Sequence, residues 1–271
     1  MLMDYKDILV HIDSSPQCPT RLKVALQLAR QHDAHLTGIH VITHAHYTST
    51  DTGSQGRLAA AEAMFRELSA RSGASTQWLA VDWPVTGVGV AEIINLYAHK
   101  KDLVIVGQGE PGSAESDSPL DLAERVVKGA GRPVLVIPYA GSFKTIGERV
   151  ILAWKDGRAS ARALGDAMPF LKLAQQVCVL TIETPLDPPH LELPDDDIAT
   201  HLGRHRINLI QEHLATGAIP VADILMTYAW ENGCDLIVMG AYTHVPGGAL
   251  GVGPVAKHLF QQMTVPVLMS H

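Results

Sequence analysis

The sequence predicts two successive α/β domains, each a doubly wound parallel sheet with helices on both faces. Three observations carry that prediction. A unit of buried strand, glycine-bearing loop, helix and buried strand occurs twice, as DLVIVGQGEPGSAESDSPLDLAERVVKGAGRPVLVIP over 102–138 and as LIVMGAYTHVPGGALGVGPVAKHLFQQMTVPVLMSH over 236–271. Asp102 and Asp235, Gly107 and Gly240, and Pro133 and Pro266 are each 133 residues apart. The fronts of the two halves also correspond, KDILVHIDSS from Lys6 against RVILAWKDGR from Arg149, with Asp13 and Asp156 separated by 143. Between the matched ends, apolar runs of strand length alternate with helical stripes. That βαβαβαβαβ order calls for parallel pairing with right-handed crossovers.

In the first half, residues 8–12 form an apolar-leaning strand that contains His11 and ends at Asp13. Apolar residues at 22, 25, 26 and 29 repeat with the period of a helix laying one stripe on a sheet. Residues 36–42 read as the second strand. The stretch 44–56 lacks periodicity and is rich in Thr, Ser, Gly and Asp, the signature of a long exposed loop. Leu58, Ala61, Phe65 and Leu68 mark the second helix, 76–81 the third strand and 90–97 the third helix. The polar connector YAGSFK, 139–144, places the boundary between domains spanning 1–142 and 143–271.

The second half repeats the plan with a strand at 150–154, a helix through Ala161, Leu164, Met168 and Leu171, and a strand at 177–182. Four prolines and an acidic cluster make 184–197 a solvated loop. A helix is expected over 198–214, and only six residues then precede the apolar run at 221–230, which leaves no room for a third strand. The second domain is therefore expected to lack strand 3. Strand 177–182 would become an edge, to be shielded by the 183–197 segment or by a second chain in a homodimer. After 236–239, Pro254 suits the first turn of a helix whose apolar face is Val255, Leu259 and Met263, and 267–269 closes the sheet.

Composition narrows the function. With 271 residues, the chain is long enough for two domains that each bury a core. A net charge of −7 opposes attraction to a phosphate backbone, so nucleic acid is not an expected partner. No apolar run approaches membrane-spanning length and MLMDYKDIL has no signal-peptide pattern, so a cytoplasmic location is expected. Cys18, Cys178 and Cys234 are widely spaced without a CxxC, as expected of reduced thiols. His40, His44 and His46 cluster in sequence, and His201 and His205 sit one helical turn apart, but no HExxH accompanies them, so no metal is expected. Neither a G-x-S-x-G elbow nor a GxxxxGK[ST] loop is present.

The repeated first strand ending in Asp, the glycine loop before the last helix, and the phrases AWKDGRASARAL, MGAYTH and MTVPVLMSH resemble the tandem-domain branch of the bacterial universal stress proteins. That resemblance implies a Rossmann-like fold of the adenine nucleotide alpha hydrolase type, with strand order 3-2-1-4-5. In members that bind ATP, the family pattern is Gly, two residues, Gly, nine residues, Gly and then Ser or Thr, together with an Asp ending strand 1 and a small apolar residue ending strand 2. Carried over, the second half supplies Asp156, Gly240 and Gly253, with Thr243 at the second glycine and Pro254 at the Ser/Thr. The first half supplies Asp13, Val41 and Gly107, but has Glu110 at the second glycine and Leu120-Asp121 in place of Gly-Ser.

These departures have a physical cost. Phosphates are held by backbone N–H groups at a helix start, and Pro254 has none to give. Glu110, Glu115, Asp117 and Asp121 would meet a triphosphate with like charge. Each lost charge-assisted contact costs roughly 1 kcal/mol or more, enough to weaken ATP binding by one or more powers of ten. The expectation is a non-catalytic stress-response protein that binds a small ligand or a partner protein and holds adenine nucleotide weakly, at most as a weak ATPase. The competing expectation is an ATP-binding protein whose slow hydrolysis acts as a switch. Asp13 and Asp156 are equally well placed to cap the helices that follow them.

Overall fold

The computed structural model describes residues 4–43, 52–83, 87–112, 118–185, 197–244 and 250–270. The chain divides into two compact units, Asp4–Lys144 and Thr145–His271.

The first unit runs β1 (Asp7–His11), α1 (Cys18–Gln31), β2 (His35–Thr43), α2 (Thr52–Ser72), β3 (Ser75–Trp83), α3 (Val90–Ala98), β4 (Leu103–Gly107), α4 (Leu122–Gly129) and β5 (Val134–Ile137). Its strands lie in the order β3-β2-β1-β4-β5, every neighbouring pair parallel. Ile8, Leu9 and Val10 of β1 and Leu103 to Val106 of β4 are fully buried, because helices cover both faces of the middle of the sheet. Apolar side chains therefore run continuously along these two strands instead of alternating. The expected loop over 44–56 is shorter, since α2 already begins at Thr52; residues 44–51 lie outside the described residues.

The second unit runs β6 (Arg149–Ala153), α5 (Arg158–Leu173), β7 (Gln176–Glu183), α6 (Ile198–Arg204), β8 (Leu209–Ala215), α7 (Val221–Glu231), β9 (Leu236–Gly240), β10 (Tyr242–His244), β11 (Leu250–Val252), α8 (Pro254–Gln262) and β12 (Val267–Ser270). Its parallel strands lie in the order β12-β9-β6-β7-β8, equivalent to that of the first unit, with β10 and β11 forming a separate antiparallel pair.

This unit does not lack its third strand. Residues 209–215 form β8, which pairs in parallel with β7 from Val177↔Leu209 to Glu183↔Ala215. The helix expected over 198–214 stops at Arg204, where Arg206 adopts a left-handed φ of 61° that a helix cannot continue through. What the second half has lost is helix, since α6 has 7 residues where α2 has 21. A short α6 covers little of the sheet, so β8 buries neither face. Leu209 and Leu214 are only half-buried and the residues between them are exposed. The sequence LIQEHLA consequently shows no strand alternation. With β8 in place, β7 is not the edge, and it needs no shield from 183–197.

One pair of carboxylates repeats between the units. Asp102 accepts hydrogen bonds from the amides of Lys6 (2.8 Å) and Asp7 (2.9 Å) at the start of β1. Asp235 does the same before β6, accepting from Gly147 (3.0 Å), Glu148 (3.2 Å) and Arg149 (3.0 Å). Each clamp satisfies amides that precede the sheet ladder and ties the first strand of its unit to the turn before the fourth.

Candidate functional site

The carboxyl ends of β1 and β4 form the place where a doubly wound sheet offers a ligand cleft. In the first unit this place is filled from within. Arg21 lies on the apolar stripe of α1, and its guanidinium is 2% exposed. Its Nη2 donates to Asp13 Oδ1 at 2.7 Å and its Nε donates to the carbonyl of His11 at 2.9 Å. Gly107 makes room for this arrangement, because a Cβ there would collide with Arg21 Nη1. The glycine that the sequence offers for a ligand thus admits the chain's own cation.

Asp13 is occupied on both oxygens. Oδ1 also accepts from the Ser15 hydroxyl at 2.6 Å and the Ser15 amide at 3.1 Å, while Oδ2 accepts from the Ser118 hydroxyl at 2.9 Å. His11 Nδ1 stands 3.7 Å from Oδ2. Burial pushes the carboxyl up, but the Arg21 guanidinium, His11 and the hydrogen bonds from Ser15 and Arg21 outweigh it and hold Asp13 well below the usual carboxylate range. Burial opposes the charge on Arg21 too, and the Asp13 carboxylate more than compensates. Beside them, burial raises the Cys18 thiol to about 11, which leaves it protonated at neutral pH.

The cavity that remains, edged by Asp13, Ser15, Arg21, Gly107, Gln108 and Ser118, measures about 20 Å³. That is room for about one water, against the several hundred Å³ of an ordinary small-molecule site. Ser118 draws the β4–α4 connection onto Asp13, and Gly109 packs directly against the backbone of Leu120 to keep that connection folded back. Val41 is buried in β2, paired with Val81, and does not line the cavity. Of the acidic residues expected near a phosphate, Glu110 lines the cavity and Asp121 precedes α4; Glu115 and Asp117 lie outside the described residues.

The second unit is built differently. Asp156 is exposed and accepts from the indole Nε1 of Trp154 at 2.9 Å, with no counterpart of Arg21 upon it among the described residues. Gly240 ends β9 where a Cβ would come within 2.6 Å of the Ala159 backbone, so the close approach of α5 requires a glycine whether or not a ligand binds. Thr243 pairs with Gly251 in the β10–β11 ribbon. Gly253 stands at the N-cap of α8 with an ordinary extended φ of −66°, and its amide donates to the Ala241 carbonyl at 3.0 Å. With Pro254 following, two backbone groups at this helix start cannot be offered to a phosphate.

The histidines do not assemble a metal centre among the described residues: no group of three His, Cys, Asp or Glu side chains is placed to hold an ion. His201 and His205 meet edge to face with ring centroids 5.0 Å apart, and His40 bonds the Ile12 carbonyl through Nδ1 at 2.9 Å. His44 and His46 lie outside the described residues. No helix among the described residues is long and apolar enough to cross a membrane.

The sequence model of the universal stress protein family matches residues 4–138. The first unit belongs to the universal stress protein family. Among solved structures, a universal stress protein from Archaeoglobus fulgidus is 15% identical, with 97% of this chain and 96% of that chain covered and a TM-score of 0.67. A functionally unknown protein from Pseudomonas aeruginosa is 18% identical, covering 98% and 92%, with a TM-score of 0.58. At these identities the likeness is one of fold, and it extends over both units. A further universal stress protein from Archaeoglobus fulgidus, solved in complex with dAMP, is 18% identical over 49% of this chain and 98% of its own, with a TM-score of 0.39. A search of the curated proteins found no match.

The residues that make the cleft of this chain's universal stress protein unit what it is, Arg21, Ser15 and Ser118, were not singled out from sequence. One signal was available. Arg21 falls between Cys18 and Ala25 on the inward stripe of α1, and a charge in such a stripe demands a buried partner.

Proposed function

We propose that this universal stress protein is a non-catalytic binding protein whose first unit has given up its nucleotide cleft. The observation that carries the reading is the Asp13 carboxylate, bonded to Arg21, Ser15 and Ser118 with only about 20 Å³ left beside it. The second unit is read as a second domain of the same family, on the strength of its equivalent strand order and its Asp235 clamp. Any adenine nucleotide is assigned to that second unit, through Asp156, Gly240, Thr243 and Gly253, where the cleft carries no internal ion pair among the described residues. Its hold is weak because Pro254 has no amide hydrogen and the Gly253 amide is already bonded.

Release of bound nucleotide from the purified protein by acid, followed by chromatography, tests this reading. Far less than one equivalent per chain is expected, together with weak ATP binding by calorimetry. ATP at about one equivalent would overturn it in favour of an ATP-binding switch with slow hydrolysis.

A further inference from the structure

A cavity of about 560 Å³ lies between α1 and α2 in the first unit and shares no lining residue with the Asp13 cleft. Lys23, Gln27 and Arg30 line it from one exposed face of α1, and Arg71 faces them from α2, over an apolar floor of Leu26 and Leu68. Among the described residues no acid lines it, and α1 contains no Asp or Glu. Glu67 of α2 pairs with Arg71 at 2.9 Å, and Asp33, just past α1, is fully exposed and turned to Lys6 at 3.7 Å. Lys23 and Arg30 form no ion pair among the described residues. In a chain of net charge −7, this groove is a local reversal of sign.

The spacing says what fits. Lys23 and Arg30 are two helical turns apart, roughly 10 Å along α1. An extended peptide in the polyproline II conformation advances about 3.1 Å per residue with three residues per turn, so carboxylates three positions apart lie on one face, about 9 Å apart, and meet both cations. Between them the Gln27 amide offers a donor and an acceptor, the pairing that a peptide main chain needs. Leu26 and Leu68 take an apolar side chain carried between the two acids. A free inorganic anion would engage one cation and leave the amide and the leucines unused.

We propose that the groove between α1 and α2 binds an extended acidic segment of a partner protein, in which two carboxylates three positions apart flank an apolar residue. Because it shares no residue with either glycine loop, the proposal stands or falls independently of nucleotide binding.

Fluorescence anisotropy of the full chain with a fluorescein-labelled peptide of repeating Glu-Ala-Leu is the test, since that repeat sets acids three positions apart. Saturable binding that weakens as sodium chloride rises is expected, and the Gln-Ala-Leu counterpart is expected not to bind. The double variant Lys23→Glu with Arg30→Glu alters only exposed side chains, so circular dichroism should remain native while affinity falls about tenfold or more. Equal binding of the two peptides, unchanged affinity in the variant, or displacement by millimolar inorganic phosphate would each overturn the proposal.

Discussion

Arg21 Nη2 lies 2.7 Å from Asp13 Oδ1 with both side chains buried, at 2% and 5% exposure, in the cleft that this fold otherwise leaves for a ligand. The pair makes the first unit self-contained. A cation carried by α1 sits over Gly107 and neutralises the carboxylate that ends β1, so the strand ends are satisfied without any second molecule.

Removing one partner should therefore cost more than removing both. Arg21→Ala leaves a buried carboxylate without its cation and is expected to destabilise the chain by roughly 3–5 kcal/mol. In the double variant with Asp13→Ala that charge is gone, and the loss should be clearly smaller than the sum of the single losses. Urea unfolding of the four proteins gives the coupling; additive losses would show that the ion pair contributes nothing of its own.

The same pair predicts an acid response. Because the folded protein holds Asp13 below its ordinary range, the pair's contribution is complete above the unfolded carboxylate value and is lost as pH falls through the folded one. The stability difference between the protein and its Asp13→Asn variant should be steady near neutrality and narrow below about pH 4. Urea midpoints across that range measure it, and a difference that stays constant into acid would contradict the shift.

If nucleotide binds at all, the second unit should account for it. Gly253 has an ordinary φ, so Gly253→Asp meets no backbone strain and places an anion at the start of α8, a position that favours Asp as a cap. ATP binding by calorimetry should disappear in Gly253→Asp, with circular dichroism checking that this buried position accepts the side chain, while Asp13→Ala should leave it unchanged. The reverse pattern would place the site in the first unit.

The two carboxylate clamps should behave alike. Asp102→Ala frees the amides of Lys6 and Asp7, and Asp235→Ala frees those before β6. Each loss should cost about 1–2 kcal/mol, read as a lower urea midpoint. A neutral result for either would mean that water replaces the carboxylate at no cost.

Hydrogen exchange should separate β7 from β8. Amides of β7 are held between β6 and β8 and should exchange slowly, whereas those of the exposed edge β8 should exchange faster, alternating along the strand. Uniformly fast exchange across β7 would mean that β8 does not stay paired.

Periodic burial explains what was readable in advance. Strands such as 103–107 and 236–240 are covered on both faces, so burial selected their whole composition and made them plain in the sequence. The sequence suggests a helix over all of 198–214 for the opposite reason, because β8 is exposed on both faces and nothing selects an alternating pattern there. At the site, Asp13 and Gly107 stood out as the ends of buried strands, but their neighbour Ser118 comes from 105 residues further on and could not be paired with Asp13 by spacing.

By itself, then, the sequence determined the α/β class, the parallel pairing and the repeated halves, since each follows from local apolar patterning and from spacings kept between corresponding residues. Only the tertiary structure decided that β8 exists, that Arg21 occupies the first cleft, and that Lys23, Arg30 and Arg71 share one groove. Those outcomes depend on which side chains meet across elements distant in sequence, and packing between elements leaves no period in the chain to read.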